Sequence, residues 1–157
     1  MARPEIKTYQ NLEAAFAGES MAHIKYRYFA KLARAAGDDD TARIFEETAA
    51  QEVMHAFGHL DLLYPAADMT PAKALQVAIE GETYEYSEMY PGFRQTAVAE
   101  GHSAAVAEID EQIAESQLHA QQFKAVLDKA AKRFAALAKV EERHANQYQQ
   151  ALNQLAA

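Results

Sequence analysis

Two Glu-x-x-His motifs contain the residues in this sequence that are best suited to chemistry. Glu52 and His55 form the first motif, and Glu141 and His144 form the second. Residues three apart on a helix project from one face, so each motif offers a carboxylate and an imidazole to the same ligand. The apolar residues around both motifs recur at three- and four-residue spacing, which predicts amphipathic helices with these pairs on the inward stripe.

A second pattern adds two carboxylates. The tripeptides G-E-S and G-E-T each precede one of the motifs and contain Glu19 and Glu82, which also lie on apolar stripes. A carboxylate in a core is costly unless a cation neutralises it. One glutamate from each of two helices, with Glu-x-x-His from two others, is the dinuclear carboxylate site of four-helix bundles. Imidazole and carboxylate ligands without thiolate suit iron or manganese. The sequence therefore predicts a two-metal site.

The composition of the sequence argues against several kinds of binding partner and of metal site. The chain has 157 residues, a formal net charge of −8 and no cysteine. The negative charge argues against nucleic acid or an anionic membrane as partner. The lack of cysteine excludes disulfides, zinc–thiolate sites and iron–sulfur centres from this sequence. No segment is apolar over the length of a membrane span, and the N-terminus has no apolar core of a signal peptide, so we expect a cytoplasmic protein.

Long helices are predicted because the sequence has only six glycines and four prolines. The first should cover residues 8–36, and the second should start at residue 40 or 41 and end at residues 64–65. The third should open at Thr70 and Pro71 and close at Gly101, with a kink or break at Pro91–Gly92.

Residues 102–157 contain neither glycine nor proline. As one helix they would span about 84 Å, much more than the others, so we predict a turn near Val126–Lys129. This turn would make residues 103–126 an additional amphipathic helix. The predicted fold is a single all-α domain over residues 1–157, an antiparallel four-helix bundle with one additional helix.

Four segments closely resemble the rubrerythrin family of the ferritin-like superfamily: AFAGES, ETAAQEVMH, IEGETYEYSEMYPGF and LAKVEERHANQY. The resemblance implies a ferritin-like bundle with a site for two iron ions, in which manganese or zinc can substitute. It implies that one iron moves between His55 and Glu85 as the redox state changes. The metal ligands implied by the matching motifs are Glu19, Glu52, His55, Glu82, Glu85, Glu141 and His144.

The resemblance also implies an activity, the reduction of hydrogen peroxide to water. Glu85, His55, Tyr26 and Tyr90 would carry it, since the two tyrosines match positions where a phenol hydrogen-bonds to a ligand or donates an electron. Without a cysteine-ligated domain, electrons would come from a separate donor protein such as a rubredoxin, and we expect a homodimer. The alternative is a ferroxidase or iron-handling protein that uses dioxygen. A metal-free helical interaction module is a third reading.

Glu115 and His119 form a competing ligand pair for the fourth helix. Their spacing is four rather than three, but His119 is 18 residues after Gly101, a separation that in the family would reach the ligand histidine. We favour Glu141 and His144, because their offsets match the second helix residue for residue.

Overall fold

The computed structural model describes residues 6–155, which form α-helices and one π-helical turn and contain no β-strand. The prediction of an all-α chain is confirmed. None of the helices in this part of the chain combines the length and apolar character that a membrane span requires. The elements in chain order are α1 (Lys7–Ala35), α2 (Asp39–Leu63), α3 (Pro71–Tyr84), the π-turn (Glu85–Met89), α4 (Tyr90–Ala99) and α5 (Ser103–Leu155).

The chain divides into two compact units, one ending at Thr70 and the other starting at Pro71. In the first unit, α1 and α2 form an antiparallel hairpin. Its turn depends on Gly37, whose φ of 79° lies in the left-handed region that glycine adopts without strain. Asp38 then caps α2 by accepting a hydrogen bond of 3.0 Å from the Thr41 backbone N–H. This bond lowers the pKa of Asp38.

Small residues at the helix contact and ion pairs of Arg34 join the two helices of this first hairpin. Ala30, Ala42 and Ala49 are buried where the helices meet, so the two backbones approach closely. Near the turn, Arg34 Nη2 lies 2.6 Å from Glu46 Oε2. The hydrogen bonds from Arg34 hold the pKa of Glu46 below its ordinary value. Both residues are exposed, so this ion pair adds little to the free energy of unfolding. Its main effect is to favour one alignment of α1 with α2.

In the second unit, α5 packs antiparallel against α3, the π-turn and α4. The turn between α4 and α5 uses Gly101, with φ of 71°. Arg94 and Asp110 form an ion pair beside this turn, with 3.1 Å between Nη2 and Oδ2. Ala97 and Ala120 are buried in the helix contact. The predicted irregularity before Pro91 takes the form of the π-turn, which absorbs the missing proline N–H by widening the hydrogen-bond ladder.

The predicted turn near Val126–Lys129 is wrong, because α5 runs without interruption from Ser103 to Leu155. No glycine or proline interrupts this stretch, and Lys124 Nζ bonds Asp128 Oδ2 at 3.3 Å across the predicted position. The extra helical length is present, but as the continuation of α5 rather than as a separate element. The assignment of residues 1–157 to a single domain stays a prediction.

The continuity of α5 can be tested with spin labels, because a chain without cysteine accepts unique labelling sites. We expect labels on Glu108→Cys and Gln147→Cys to be about 58 Å apart, at a rise of 1.5 Å per residue. A turn at residues 126–129 would bring the two positions onto neighbouring helices about 10 Å apart. Double electron–electron resonance on protein diluted with unlabelled chains measures the difference.

The control pair, Glu108→Cys with Lys124→Cys, lies before the disputed position. It should give about 24 Å in either arrangement. A short distance for the long pair, with the control unchanged, would contradict a continuous α5.

Candidate metal centre

In the first hairpin, α1 and α2 bring together three side chains whose ligand atoms lie within 4.8 Å of one another: Glu19, Glu52 and His55. His55 Nδ1 lies 2.9 Å from Glu52 Oε2 and 3.9 Å from Glu19 Oε2. The side chain of Glu52 is only 15% exposed and that of Glu19 30% exposed, whereas His55 is 58% exposed. The three residues predicted from the first G-E-S and Glu-x-x-His motifs are therefore neighbours.

The neighbourhood of this cluster is apolar and ordered. His23, one turn from Glu19 on α1, has its Nδ1 2.8 Å from the backbone carbonyl of Ala49 on α2. This bond crosses the hairpin and fixes the helix register beside the cluster. The Tyr26 ring packs against Phe45 with 5.7 Å between centroids. An open groove of about 270 Å³ adjoins the cluster, and its lining includes Phe16, Ser20, His23, Val53, Ala56 and Phe57.

In the second unit, α3 and the π-turn present Glu82 and Glu85 towards α5. Glu82 Oε1 lies 3.4 Å from His119 Nδ1. Ser116, which is only 4% exposed, donates a hydrogen bond of 3.1 Å from its Oγ to Glu85 Oε2. Glu115 lies one helical turn before His119 and is exposed. The helix that follows Gly101 therefore faces both predicted carboxylates of this unit.

The other predicted pair, Glu141 and His144, lies further along α5 and is not among these side chains. His144 Nδ1 is 3.7 Å from Glu141 Oε2, with side-chain exposures of 49% and 75%. The pair therefore shares a helix face, as its spacing requires. Nothing in the described chain brings either residue to Glu82 or Glu85.

The π-turn positions Tyr90 relative to Glu85. The backbone N–H of Tyr90 donates to the carbonyl of Glu85, an i→i+5 bond that brings the two residues onto the same side of the helix. Burial raises the pKa of the Tyr90 phenol, and the charges of Glu85 and Glu82 raise it further. The phenol is therefore protonated at neutral pH and can donate a proton or a hydrogen bond. The sequence did not predict the π-turn or the hydrogen bond from Ser116 to Glu85. Pro91 predicted only that the helix would be irregular close to this position.

The carboxylates of both units fit a bound cation. Glu82 Oε2 is buried and has no hydrogen-bond partner among the described residues. Within residues 6–155, the ion pairs of Glu19, Glu52 and Glu82 involve histidine and neither lysine nor arginine. Partly buried carboxylates without a cationic partner are costly to fold. Oxygen and imidazole donors of this kind suit iron or manganese, so the donors of each unit are chemically suited to a divalent metal.

Comparison with known proteins identifies the family. The rubrerythrin family model matches residues 10–127. Nigerythrin of Nitratidesulfovibrio vulgaris is 42% identical over 115 residues, or 63% of this chain and 55% of nigerythrin. Rubrerythrin of Porphyromonas gingivalis is 35% identical over 77% of this chain and 66% of its own length. Rubrerythrin-1 of Clostridium acetobutylicum is 32% identical over 77% of this chain and 70% of its own length.

Solved structures of nigerythrin are also similar to this chain. The structure of fully reduced, all-ferrous nigerythrin has 33% identity over 82% of this chain and 70% of that chain, with a TM-score of 0.41. The chain spans 55% of the length of nigerythrin and 66% of the length of the Porphyromonas protein. The family match runs from residue 10 in α1 to residue 127 in α5, so it includes Glu115 and His119 and ends before Glu141. This all-α chain has the ferritin-like fold class and belongs to the rubrerythrin family.

Proposed function

We propose that this protein binds two iron ions and reduces hydrogen peroxide to water. The observation that carries the proposal is the set of partly buried carboxylates in both units without a lysine or arginine partner, including the orphaned Glu82 Oε2. A pair of divalent cations would neutralise them, and membership of the rubrerythrin family supports iron as the metal. Manganese or zinc in its place stays a prediction.

The ligand set that we propose differs from the set favoured by sequence in the fourth helix. His119 is preferred because its Nδ1 lies 3.4 Å from Glu82 Oε1, and Glu115 because it lies one turn away on the same helix. Glu141 and His144 are set aside because no contact in the described chain brings them to Glu82 or Glu85, and because they lie beyond residue 127, where the family match ends. The proposed ligands are Glu19, Glu52, His55, Glu82, Glu85, Glu115 and His119.

Reduction of one peroxide molecule consumes two electrons and two protons and yields two water molecules. Bound ferrous ions would supply the two electrons. Among the chain's own residues, Tyr90 is suited to supply or relay a proton, since its Oη is held protonated beside Glu85. Glu85 is held in one orientation by the hydrogen bond from Ser116. A carboxylate oxygen favours the ferric over the ferrous ion, whereas imidazole suits the ferrous ion, which assigns complementary roles to Glu85 and His55.

A donor protein such as a rubredoxin stays a prediction for the source of the electrons. Dioxygen is the alternative oxidant. A cytoplasmic location and a homodimeric state also stay predictions.

The ligand set can be tested with a matched pair of variants on α5. His119→Ala should lower the iron bound after anaerobic reconstitution from about two per chain to one or fewer, because it removes a proposed imidazole ligand. His144→Ala should keep the full content, because its only ion-pair partner among the described residues is Glu141 on the same helix. Metal analysis together with circular dichroism separates ligand loss from unfolding. Loss of iron in His144→Ala alone would return the fourth-helix assignment to Glu141 and His144.

The proposed activity depends most on Glu85. Glu85→Ala should still bind iron through the remaining six ligands, but should lose most of its rate of oxidation by peroxide and keep slow oxidation by dioxygen. Glu88→Ala is the control, because Glu88 is exposed on the same π-turn and should leave both rates unchanged. Stopped-flow oxidation of the di-ferrous protein measures both rates.

A wild-type rate with peroxide in Glu85→Ala would remove the main support for a peroxide reductase. The iron-handling alternative, in which the protein oxidises ferrous iron with dioxygen, would then be favoured.

A further inference from the structure

The second half of α5 has no role in the proposed metal site. From residue 131 to residue 154 every residue is exposed except Val140, which is half-buried. The exposed residues include large apolar side chains: Phe134 is 71% exposed, Leu137 50%, Tyr148 74% and Leu152 60%. The rubrerythrin family model matches residues 10–127 and does not extend to this segment.

The residues of this segment follow the spacing of a helix that packs against another helix. Intervals of three and four residues alternate along one stripe, as in a heptad repeat. Alanine occupies the flanking positions 131, 138 and 145, which would allow a partner helix to approach closely. We call this the C-terminal stripe, and its residues in order are Phe134, Leu137, Glu141, His144, Tyr148 and Ala151. Leu152 lies next to the last position of the stripe and flanks it.

We propose that the C-terminal stripe pairs antiparallel with the C-terminal stripe of a second copy of this chain. The stripe is self-complementary when one copy is reversed about the midpoint between Glu141 and His144. That reversal places Phe134 opposite Ala151, Leu137 opposite the long side chain of Tyr148, and Glu141 opposite His144. Because the two-fold symmetry repeats each pair, six layers form, and in the outermost layers the large Phe134 ring faces the small Ala151 side chain.

Charge also selects the antiparallel arrangement. A parallel pair would set Glu141 against its own copy and His144 against its own copy within the seam, where like groups destabilise. The antiparallel pair sets each carboxylate against an imidazole instead. The flanks agree with this choice, because residues 129–133 contain Lys129, Lys132 and Arg133, while residues 145–154 contain no charged side chain. Reversal places the basic end of one helix beside the uncharged end of the other.

The need for a partner follows from helix energetics. A helical segment stabilised only by its own backbone bonds is marginal in water, and most helix stability in proteins comes from packing an amphipathic face. The segment from Phe134 to Ala151 spans about 26 Å, long enough for a continuous two-helix seam. The pairing is independent of the metal ligands, so it can fail without affecting the proposed function.

Disulfide cross-linking tests both the partner and the orientation, since the chain has no cysteine of its own. Two full-length chains, Phe134→Cys and Ala151→Cys, would be co-expressed and oxidised. We expect a disulfide-linked dimer between the two different chains, at least tenfold more abundant than either self-linked product. Each variant expressed alone should remain unlinked. Linking of each variant to itself, or no linking in the mixture, would overturn the proposal.

A second measurement covers the case in which the cysteines disturb the seam. Leu137→Glu should weaken self-association at least tenfold in sedimentation equilibrium, because it introduces a charge into two of the six layers. Ala136→Glu, one position away and outside the stripe, should leave association unchanged. Both variants should retain the wild-type iron content. Equal association of Leu137→Glu and the wild-type protein would overturn the proposed pairing. That result is expected if the copies associate through another surface or if the stripe binds a different protein.

Discussion

The structure depends on one electrostatic constraint, which is that carboxylates lie on the inward faces of helices without lysine or arginine to neutralise them. Glu52 is 15% exposed and Glu82 is 21% exposed, and the nearest ion-pair partner of each is a histidine. Such groups oppose folding unless a cation is supplied. A bound metal stabilises the folded state by mass action, so the same residues that weaken the empty protein would stabilise the loaded one. The placement of these acids therefore makes sense as part of a binding site.

The surrounding helices are built to hold these acids at fixed positions. Alanine at the helix contacts, such as Ala49 and Ala120, lets neighbouring backbones approach closely. The bond from His23 to the Ala49 carbonyl fixes the register of the first hairpin beside Glu19 and Glu52. In the second unit, Ser116 fixes Glu85, and the π-turn turns Tyr90 towards the same carboxylate. Each of these contacts lies beside, or involves, a residue that we propose to bind metal or to donate a proton.

The helices and much of the site could be predicted from sequence, because glycine, proline and amphipathic spacing carry that information locally. The predicted start of α2, at residue 40 or 41, differs from Asp39 by one or two residues. Residue spacing placed Glu19, Glu52 and His55 on inward stripes, and the structure brings these three side chains close together. The sequence did not predict a continuous α5, because a single helix over residues 102–157 would be much longer than the other predicted helices. The length of a glycine- and proline-free segment does not predict a turn, because no residue in it ends the helix. The ion pair between Lys124 and Asp128 stabilises the helix at the position where the turn was predicted.

The choice between His119 and His144 could not be made from spacing, for a physical reason. Glutamate and histidine three or four residues apart share a helix face equally well, so both pairs satisfy the same local rule. The match between the second and last helices arises from amphipathic periodicity that the C-terminal stripe also has. Only the pairing of α3 with α5, set by the turn at Gly101, shows that His119 reaches Glu82.

The central claim is that the unpaired carboxylates are there to hold two metal ions, and the most direct test is a count of bound iron. The purified chain would be stripped with chelator, reconstituted anaerobically with excess ferrous ion and freed of unbound metal. Iron measured by mass spectrometry would then be divided by protein measured by amino-acid analysis. We predict about two iron ions per chain, from the ligand set of a two-metal site. One ion or fewer per folded chain would contradict it.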